Sequence, residues 1–342
     1  MHVLETGMSW RGVLKLVSNI DAEALHDASL AFIKLHNKIP IVRKSEVVRP
    51  ITVFGIEFMN FVGLAAGFDK NSEIVEYLPG FGFGFAEIGT VTPRPQPGND
   101  RPRLFRDYEK QILFNRMGFN NDGAEVVSRR LRKAKTTLPQ SFRVGVNVGK
   151  NKETTNDDAH FDYAKAVSYF EGLTDYLVIN VSSPNTMGLR DLQNRESLNR
   201  ILESVFAVVD KWSVPPPVLV KLAPELNEEA QGSIVEELEK SGIAGLVLTN
   251  TLKGSWKIDN EMIEGGLSGR PLVEPSERAL VSYRKKTDLP IISVGGIIDL
   301  EVAQRRLDLG ASLLQIYSGW VFSGPDFPRL ISVNLEKDRT NT

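Results

Sequence analysis

The chain has 342 residues, 42% hydrophobic and 25% charged, an ordinary globular composition with room for one large core or two domains. A formal net charge of −2 supplies no electrostatic footprint for nucleic acid, which is not expected as a partner. Cysteine is absent, so disulfides, thiolate nucleophiles and iron–sulfur clusters are excluded within the chain, and His2, His26, His36 and His160 lack a metal-ligand spacing, so no metal site is expected.

No apolar run approaches the roughly 20 residues that span a bilayer, and Met1 to Leu16 lacks the apolar core of a secretory signal. Two short amphipathic helices are predicted before Pro40. Trp10, Val13, Leu14 and Val17 share one helical face, and Leu25, Ala28, Phe32 and Leu35 share another, with Asp21 as N-cap of the second helix and Glu23 in its first turn. Lys15, Lys34, Lys38, Arg43 and Lys44 add positive charge near their ends. This pattern suits an anchor at an anionic membrane surface and equally a helical hairpin packed on the main domain. Arg49-Pro50 marks a boundary, and Ile51 to Phe58, with Gly55 inside, reads as a small hairpin.

Beyond it, short apolar runs alternate with helical patterns. The predicted strands are Val62 to Ala66, Ala86 to Thr90, Arg143 to Val148, Tyr176 to Val181, Pro217 to Leu222, Ala244 to Thr249, Pro290 to Val294 and Leu313 to Tyr317. The predicted helices include Glu125 to Ala134, Ala159 to Phe170, Leu198 to Trp212, Glu228 to Ser241 and Leu300 to Leu309. The runs are continuously apolar, as strands covered on both faces require. Their number and spacing predict an α/β fold, a (β/α)8 TIM barrel with a short N-terminal two-helix extension. A doubly wound open sheet ranks lower, because the first strand lacks a G-x-G-x-x-G fingerprint.

In such a barrel the C-terminal ends of all strands face one mouth, so these ends outline a site. They are Ala66 to Lys70, Gly89-Thr90, Asn147, Asn180 to Asn185, Lys221, Thr249 to Thr251, Gly295-Gly296 and Tyr317 to Gly319. Amide, hydroxyl and ammonium groups dominate and carboxylates are few, which suits an anionic, planar ligand with many hydrogen-bonding groups. Gly295-Gly296 and Ser318-Gly319 follow the seventh and eighth strands, where these barrels often bind phosphate; plain tight turns are the simpler alternative. Lys70 and Lys221 suit charge stabilisation or a Schiff base, or the ordinary role of surface lysines. Asn115 to Asn121 reads as a polar loop around Gly118.

The strings GLAAGFDKN (63 to 71), EIGTVTPRPQPGN (87 to 99), PRLFR (102 to 106), NRMGFNN (115 to 121), GVNVGKNK (145 to 152), NVSSPNTMGLRDLQ (180 to 193), VKLAP (220 to 224), TNT (249 to 251), GGLSGRPL (265 to 272), VGGI (294 to 297) and GASLLQIYSG (310 to 319) stand in this order. Together they resemble the class 2, quinone-linked dihydroorotate dehydrogenase family, from about Asp21 to beyond Tyr317.

The resemblance implies oxidation of dihydroorotate to orotate in pyrimidine biosynthesis, with FMN accepting hydride and a membrane quinone reoxidising it. It gives the role of base to Ser183; class 1 relatives use cysteine there, so the lack of cysteine agrees with class 2. It implies orotate contacts from Lys70, Asn115, Arg116, Met117, Gly118, Phe119, Asn180, Asn185, Asn250 and Thr251. FMN contacts are implied for Ala66, Gly67, Phe68, Asp69, Lys70, Thr90, Asn147, Asn180, Lys221, Thr249, Gly269, Gly296, Tyr317 and Ser318. Residues 1–40 become a quinone tunnel and peripheral membrane contact, with His26 and Arg106 at the head-group end, and residues 41–342 the FMN-binding barrel. The expected location is the mitochondrial inner membrane in a eukaryote, or the cytoplasmic face of the inner membrane in a bacterium. The segment Lys253 to Glu264 reads as a modest loop. A phosphate-binding lyase or aldolase with a Schiff-base lysine, and a non-catalytic flavin-binding or membrane-peripheral protein, are the other readings.

Overall fold

The computed structural model describes residues 10–36 and 50–339. The boundary at Pro40, His2, and the basic residues Lys38, Arg43 and Lys44 lie outside the described residues. Helices α1 (Trp10–Leu16) and α2 (Ala22–His36) form the predicted extension. Asp21 caps α2, its Oδ1 accepting the N–H groups of Glu23 and Ala24 at 3.0 and 2.9 Å. The apolar stripe assigned to α2 is only partly used for docking. Phe32 and Leu35 face outward at 58% and 68% exposure, and Ala22, Glu23, Leu30 and Ile33 are buried instead.

The hairpin of β1 (Ile51–Val53) and β2 (Ile56–Phe58) follows, turning at Phe54 and Gly55 as expected. Next come β3 (Val62–Leu64), β4 (Phe85–Val91), β5 (Leu104–Asp107), β6 (Ile112–Asn115), α3 (Ala124–Lys135), β7 (Arg143–Val148), α4 (Ala159–Val167), β8 (Tyr176–Asn180) and α5 (Arg195–Val209). The second half holds β9 (Val218–Leu222), α6 (Glu228–Lys240), β10 (Gly245–Leu248), β11 (Leu252–Ile258), β12 (Glu261–Gly269), α7 (Val273–Arg284), β13 (Ile291–Val294), α8 (Leu300–Asp308), β14 (Leu313–Ile316), α9 (Ser318–Ser323) and α10 (Phe327–Arg339).

Eight of these strands, β3-β4-β7-β8-β9-β10-β13-β14, close into a barrel of parallel pairs. They are the eight strands expected from the apolar runs, with ends shifted by a few residues. The fold is the (β/α)8 barrel.

A four-stranded antiparallel sheet, β11-β12-β6-β5, sits apart from the barrel ladder and was not anticipated. It corrects two readings. Lys253 to Glu264 is a β-hairpin, with Lys253 paired to Gly266 and Ile258 to Glu261, and Asn115 is the last residue of a strand. The exposure of β11 alternates residue by residue, the signature of a strand with one wet face. The glycines of β12 mask that signal but serve close approach, since a Cβ on Gly266 would lie 2.1 Å from Thr251 Oγ1.

The closed end of the barrel is packed with rings. Phe58, Phe85 and Tyr176 are fully buried and meet at centroid distances of 5.1 to 6.4 Å. Gly63 and Gly145 make room for them, because a Cβ would lie 2.3 Å from the Phe85 ring and 2.1 Å from the Tyr176 ring. Gly145→Ala should therefore destabilise the protein by about 1–3 kcal/mol, read as a lower urea midpoint; an unchanged midpoint would mean that Tyr176 yields without cost.

Candidate active site at the barrel mouth

Above the aromatic layer the barrel interior becomes polar, beginning at Glu87 on β4. Its carboxylate is fully buried and accepts hydrogen bonds from Asn147 Nδ2 at 2.7 Å and Gln315 Nε2 at 2.6 Å, with Lys221 Nζ 3.6 Å away. The bonding continues toward the mouth. Asn147 Oδ1 accepts from Thr90 Oγ1 at 2.5 Å and Asn180 Nδ2 at 3.2 Å, and Asn180 Oδ1 accepts from Asn250 Nδ2 at 3.1 Å. Asn250 also donates to Ser182 Oγ at 3.0 Å, and Tyr163 donates to the Asn180 carbonyl at 2.7 Å. Side chains from six barrel strands or the loops just after them are thus tied together, and Tyr163 of α4 joins them from outside.

Glu87 and Gln315 were not singled out from the sequence. Each is one polar residue in an apolar strand, FAEIGTV and LLQI, and such an interruption in a strand buried on both faces is the signal that could have found them.

A cleft that is partly open to solvent lies above this layer. Among the residues implied for FMN, it is lined by Ala66, Gly67, Lys70, Thr90, Asn180, Lys221, Thr249, Gly296, Tyr317 and Ser318. Among those implied for orotate it is also lined by Asn115, Met117, Gly118, Phe119, Asn185, Asn250 and Thr251, and Ser183 lies on the same wall. Phe68, Asp69, Asn147, Gly269 and Arg116 stand outside the lining. Phe68 packs between His26, Tyr317 and Trp320 at 4.9, 5.3 and 4.7 Å. The Asp69 carboxylate accepts the N–H groups of Glu73 and Ile74 at 2.7 and 3.0 Å, so it holds its own loop.

Ser183 is 5% exposed, and its Oγ accepts the Asn185 N–H at 3.3 Å. Asn185 Nδ2 donates to Asn115 Oδ1 at 2.7 Å, joining the serine loop to β6. Four buried oxygens of the lining, Asn120 Oδ1, Asn185 Oδ1, Thr251 Oγ1 and Gln315 Oε1, have no hydrogen-bond partner among the described residues. Buried polar atoms are rarely left so. Their presence in one cleft is what a site for a polar planar ligand requires. Burial pushes the Lys70 ammonium down to about 8, against the opposing charge of Glu23 and with Arg103 reinforcing the shift.

The two glycine ends lie at one side of the cleft. Gly296 has φ +73°, and a Cβ there would lie 2.6 Å from the backbone of Val273, the first residue of α7. The Gly295 carbonyl is held by Ser276 Oγ at 2.9 Å and by Arg306 Nη2 at 3.0 Å. Arg306 is fully buried and also binds Ser276 Oγ at 2.6 Å and the Val273 carbonyl at 2.9 Å.

His26 and Arg106 lie outside the lining. His26 packs edge-on against Phe68, and burial, reinforced by the Lys70 charge, pushes its imidazole down to about 3, so the ring is neutral at pH 7. Arg106 Nη2 donates to the carbonyls of Val17 at 2.8 Å and Ile20 at 2.6 Å, just after α1.

Removing one partner of a buried ion pair strands the other. Glu87→Ala should cost about 3–5 kcal/mol in urea unfolding, and adding Lys221→Met should recover part of it. A loss below about 1 kcal/mol, the scale of a surface pair, would show that Lys221 does not depend on Glu87.

The dihydroorotate dehydrogenase family model matches residues 50–338. The chain is 45% identical over 285 residues to the dihydroorotate dehydrogenase (quinone) of Bartonella tribocorum, covering 81% of this chain and 78% of that one. It is 40% identical over 343 residues to the dihydroorotate dehydrogenase (quinone) of Anaeromyxobacter dehalogenans, covering 96% and 93%. In structure it is similar to the dihydroorotate dehydrogenase of Eimeria tenella in complex with ferulenol, with a TM-score of 0.86, 34% identity and coverage of 96% and 95%. On the match across its barrel and on relatives aligned over most of its length, the chain belongs to the dihydroorotate dehydrogenase family.

Proposed function

We propose that this protein oxidises dihydroorotate to orotate in pyrimidine biosynthesis, using bound FMN and passing the electrons to a membrane quinone. The observation that carries the reading is the convergence of Ser183, Lys70, Lys221 and the four asparagines Asn115, Asn180, Asn185 and Asn250 on one cleft. Membership of the family implies a flavin cofactor; the choice of FMN rests on the motif resemblance, and the two glycine ends suit its phosphate.

The residues present fit that group. Ala66, Gly67, Thr90, Asn180, Lys221, Thr249, Gly296, Tyr317 and Ser318 would hold it, with Phe68, Asp69, Asn147 and Gly269 supporting from behind. FMN, when bound, supplies the acceptor for the hydride leaving C6 of the substrate. The chain supplies the rest. Asn115, Asn185 and Thr251 offer donors and acceptors to the uracil-like edge, with Asn185 Oδ1 and Thr251 Oγ1 still unpaired, and Asn180 and Asn250, whose amide hydrogens are engaged within the network, would turn to it. Lys70 offers positive charge to the carboxylate, and the Met117 to Phe119 segment covers the ring with Arg116 behind it.

Ser183 Oγ would take the proton from C5. The Asn185 N–H that it accepts favours negative charge on this oxygen, which helps a hydroxyl serve as a base. Lys221, fixed by Glu87, would face the charge that builds on the acceptor side. A Schiff-base lyase is the weaker reading. Lys221 is already engaged by Glu87, and the family consists of oxidoreductases.

The extension would meet the membrane peripherally. Among the described residues no helix is long and apolar enough to cross a bilayer. Leu16, Ile20, Phe32 and Leu35 are exposed on α1, α2 and their junction, as insertion into a lipid surface requires. The quinone would enter beside these helices, near His26 and Arg106. The membrane would be the inner membrane of a bacterium or of a mitochondrion.

The purified protein should be yellow and reduce a quinone with dihydroorotate. Ser183→Ala should lower turnover about 10²–10⁴-fold with flavin content unchanged; full activity would remove the base assignment. In the free protein Lys70 loses its proton as pH rises through about 8. Orotate should therefore bind more weakly above that pH, and Lys70→Gln should flatten this limb. A pH dependence identical in the variant would place the titrating group elsewhere.

A further inference from the structure

Glu23 is a charged residue on α2, yet it is only 4% exposed. Its carboxylate accepts Arg103 Nη2 at 2.7 Å and Nε at 3.0 Å, and Arg101 Nη2 at 2.9 Å. Burial alone would raise its pKa, but the hydrogen bonds and charge of Arg103 outweigh this and hold it below the usual range.

Arg103 does not stop at the helix. Its Nη1 donates to the carbonyls of Pro97 at 2.5 Å and Asn99 at 2.7 Å, and its own carbonyl accepts the Arg116 N–H at 2.8 Å. Asn99 carries the connection onward. Its N–H donates to the Met117 carbonyl at 3.0 Å, and its Nδ2 bridges the carbonyls of Arg116 at 2.9 Å and Asn185 at 3.2 Å. Asn185 in turn bonds Asn115 and Ser183. One chain of charge-assisted and amide hydrogen bonds thus runs from α2 to both walls that would hold the substrate. The packing is tight along its course, because a Cβ on Gly98 would lie 2.3 Å from the Met117 carbonyl and 2.9 Å from Arg103 Nη1.

None of Glu23, Arg103 and Asn99 lines the cleft. The serine segment has other ties, from Arg190 Nε to the Ser182 carbonyl at 3.0 Å and from Asn156 Nδ2 to the Gly188 carbonyl at 2.8 Å. Those ties hold its two ends. Asn99 holds its middle at the carbonyl of Asn185, the asparagine that faces the cleft.

We infer that Glu23, Arg103 and Asn99 form a positioning relay by which helix α2 sets how tightly the barrel holds its substrate. The inference rests on the reading of the cleft as an orotate site. It makes the N-terminal helices part of the substrate half of the reaction as well as the quinone half. A displacement of α2 would reach Asn185 and Ser183 without any ligand bridging the two regions.

The test uses the full-length, flavin-loaded protein and titrates orotate by the perturbation of flavin absorbance. Glu23→Gln and Asn99→Ala should each weaken orotate binding by about 5-fold or more, with flavin content unchanged. The double variant should be hardly weaker than the worse single one, since both cut the same path. Orotate affinities within about twofold of the parent in both single variants, even with lowered thermal stability, would overturn the relay and leave a purely structural contact. Independent, multiplying effects in the double variant would overturn it as well. If the parent protein holds flavin but binds no orotate, the substrate reading itself fails, and this inference with it.

Discussion

A carboxylate enclosed in a barrel needs a cation and donors around it, and Glu87 has both in Lys221, Asn147 and Gln315. This requirement holds the Lys221 ammonium beside the Glu87 carboxylate. It also orients the Asn147 amide so that its oxygen faces Thr90 and Asn180, which passes the order outward to Asn250. The polar rim is therefore preorganised by a charge that sits below it and does not itself line the cleft. The rings of Phe58, Phe85 and Tyr176 close the end beneath and keep the pair away from water. An active site that handles a hydride and a proton needs such a fixed, dry floor more than it needs many charges.

The barrel was legible because parallel strands buried on both faces leave mostly apolar runs, and the eight such runs in the chain are the eight barrel strands. The β-hairpin containing Trp256 escaped notice because its strands are wet on one face and rich in glycine, so neither long apolar runs nor strong strand formers mark it. For α2 the periodicity showed a real stripe, but Phe32 and Leu35 face outward while Leu30 and Ile33 dock. A helix apolar on two sides cannot be oriented from its pattern alone.

The site was readable to the extent that strand ends define it. Ser183, Asn180, Asn250 and Lys221 follow from barrel geometry, since each lies within three residues of the C-terminal end of a barrel strand. Whether an end residue faces the cleft or stands behind it depends on partners far away in sequence. Asn147 turns to Glu87, Asp69 to its own loop, and Phe68 to His26. Glu23 and Arg103 are 80 positions apart, and neither string announces the other.

The N-terminal helices join the barrel through chemistry of two kinds. Phe68 and His26 supply an apolar, neutral contact, while Glu23, Arg101 and Arg103 supply a charged one beside it. The charged contact is linked to the substrate loop through Asn99, and Phe32 and Leu35 of the same helix stay exposed. On the proposals made above, one helix would both meet a lipid surface and brace the substrate site.

The most direct measurement is a crystal structure of the protein with FMN and orotate. Both should lie in the one cleft, with Ser183 Oγ beside C5 on the orotate face opposite the flavin, the asparagines on the ring edge, and the phosphate at Gly296 and Ser318. Orotate bound away from these asparagines, or a flavin ring on the same side as Ser183, would contradict it.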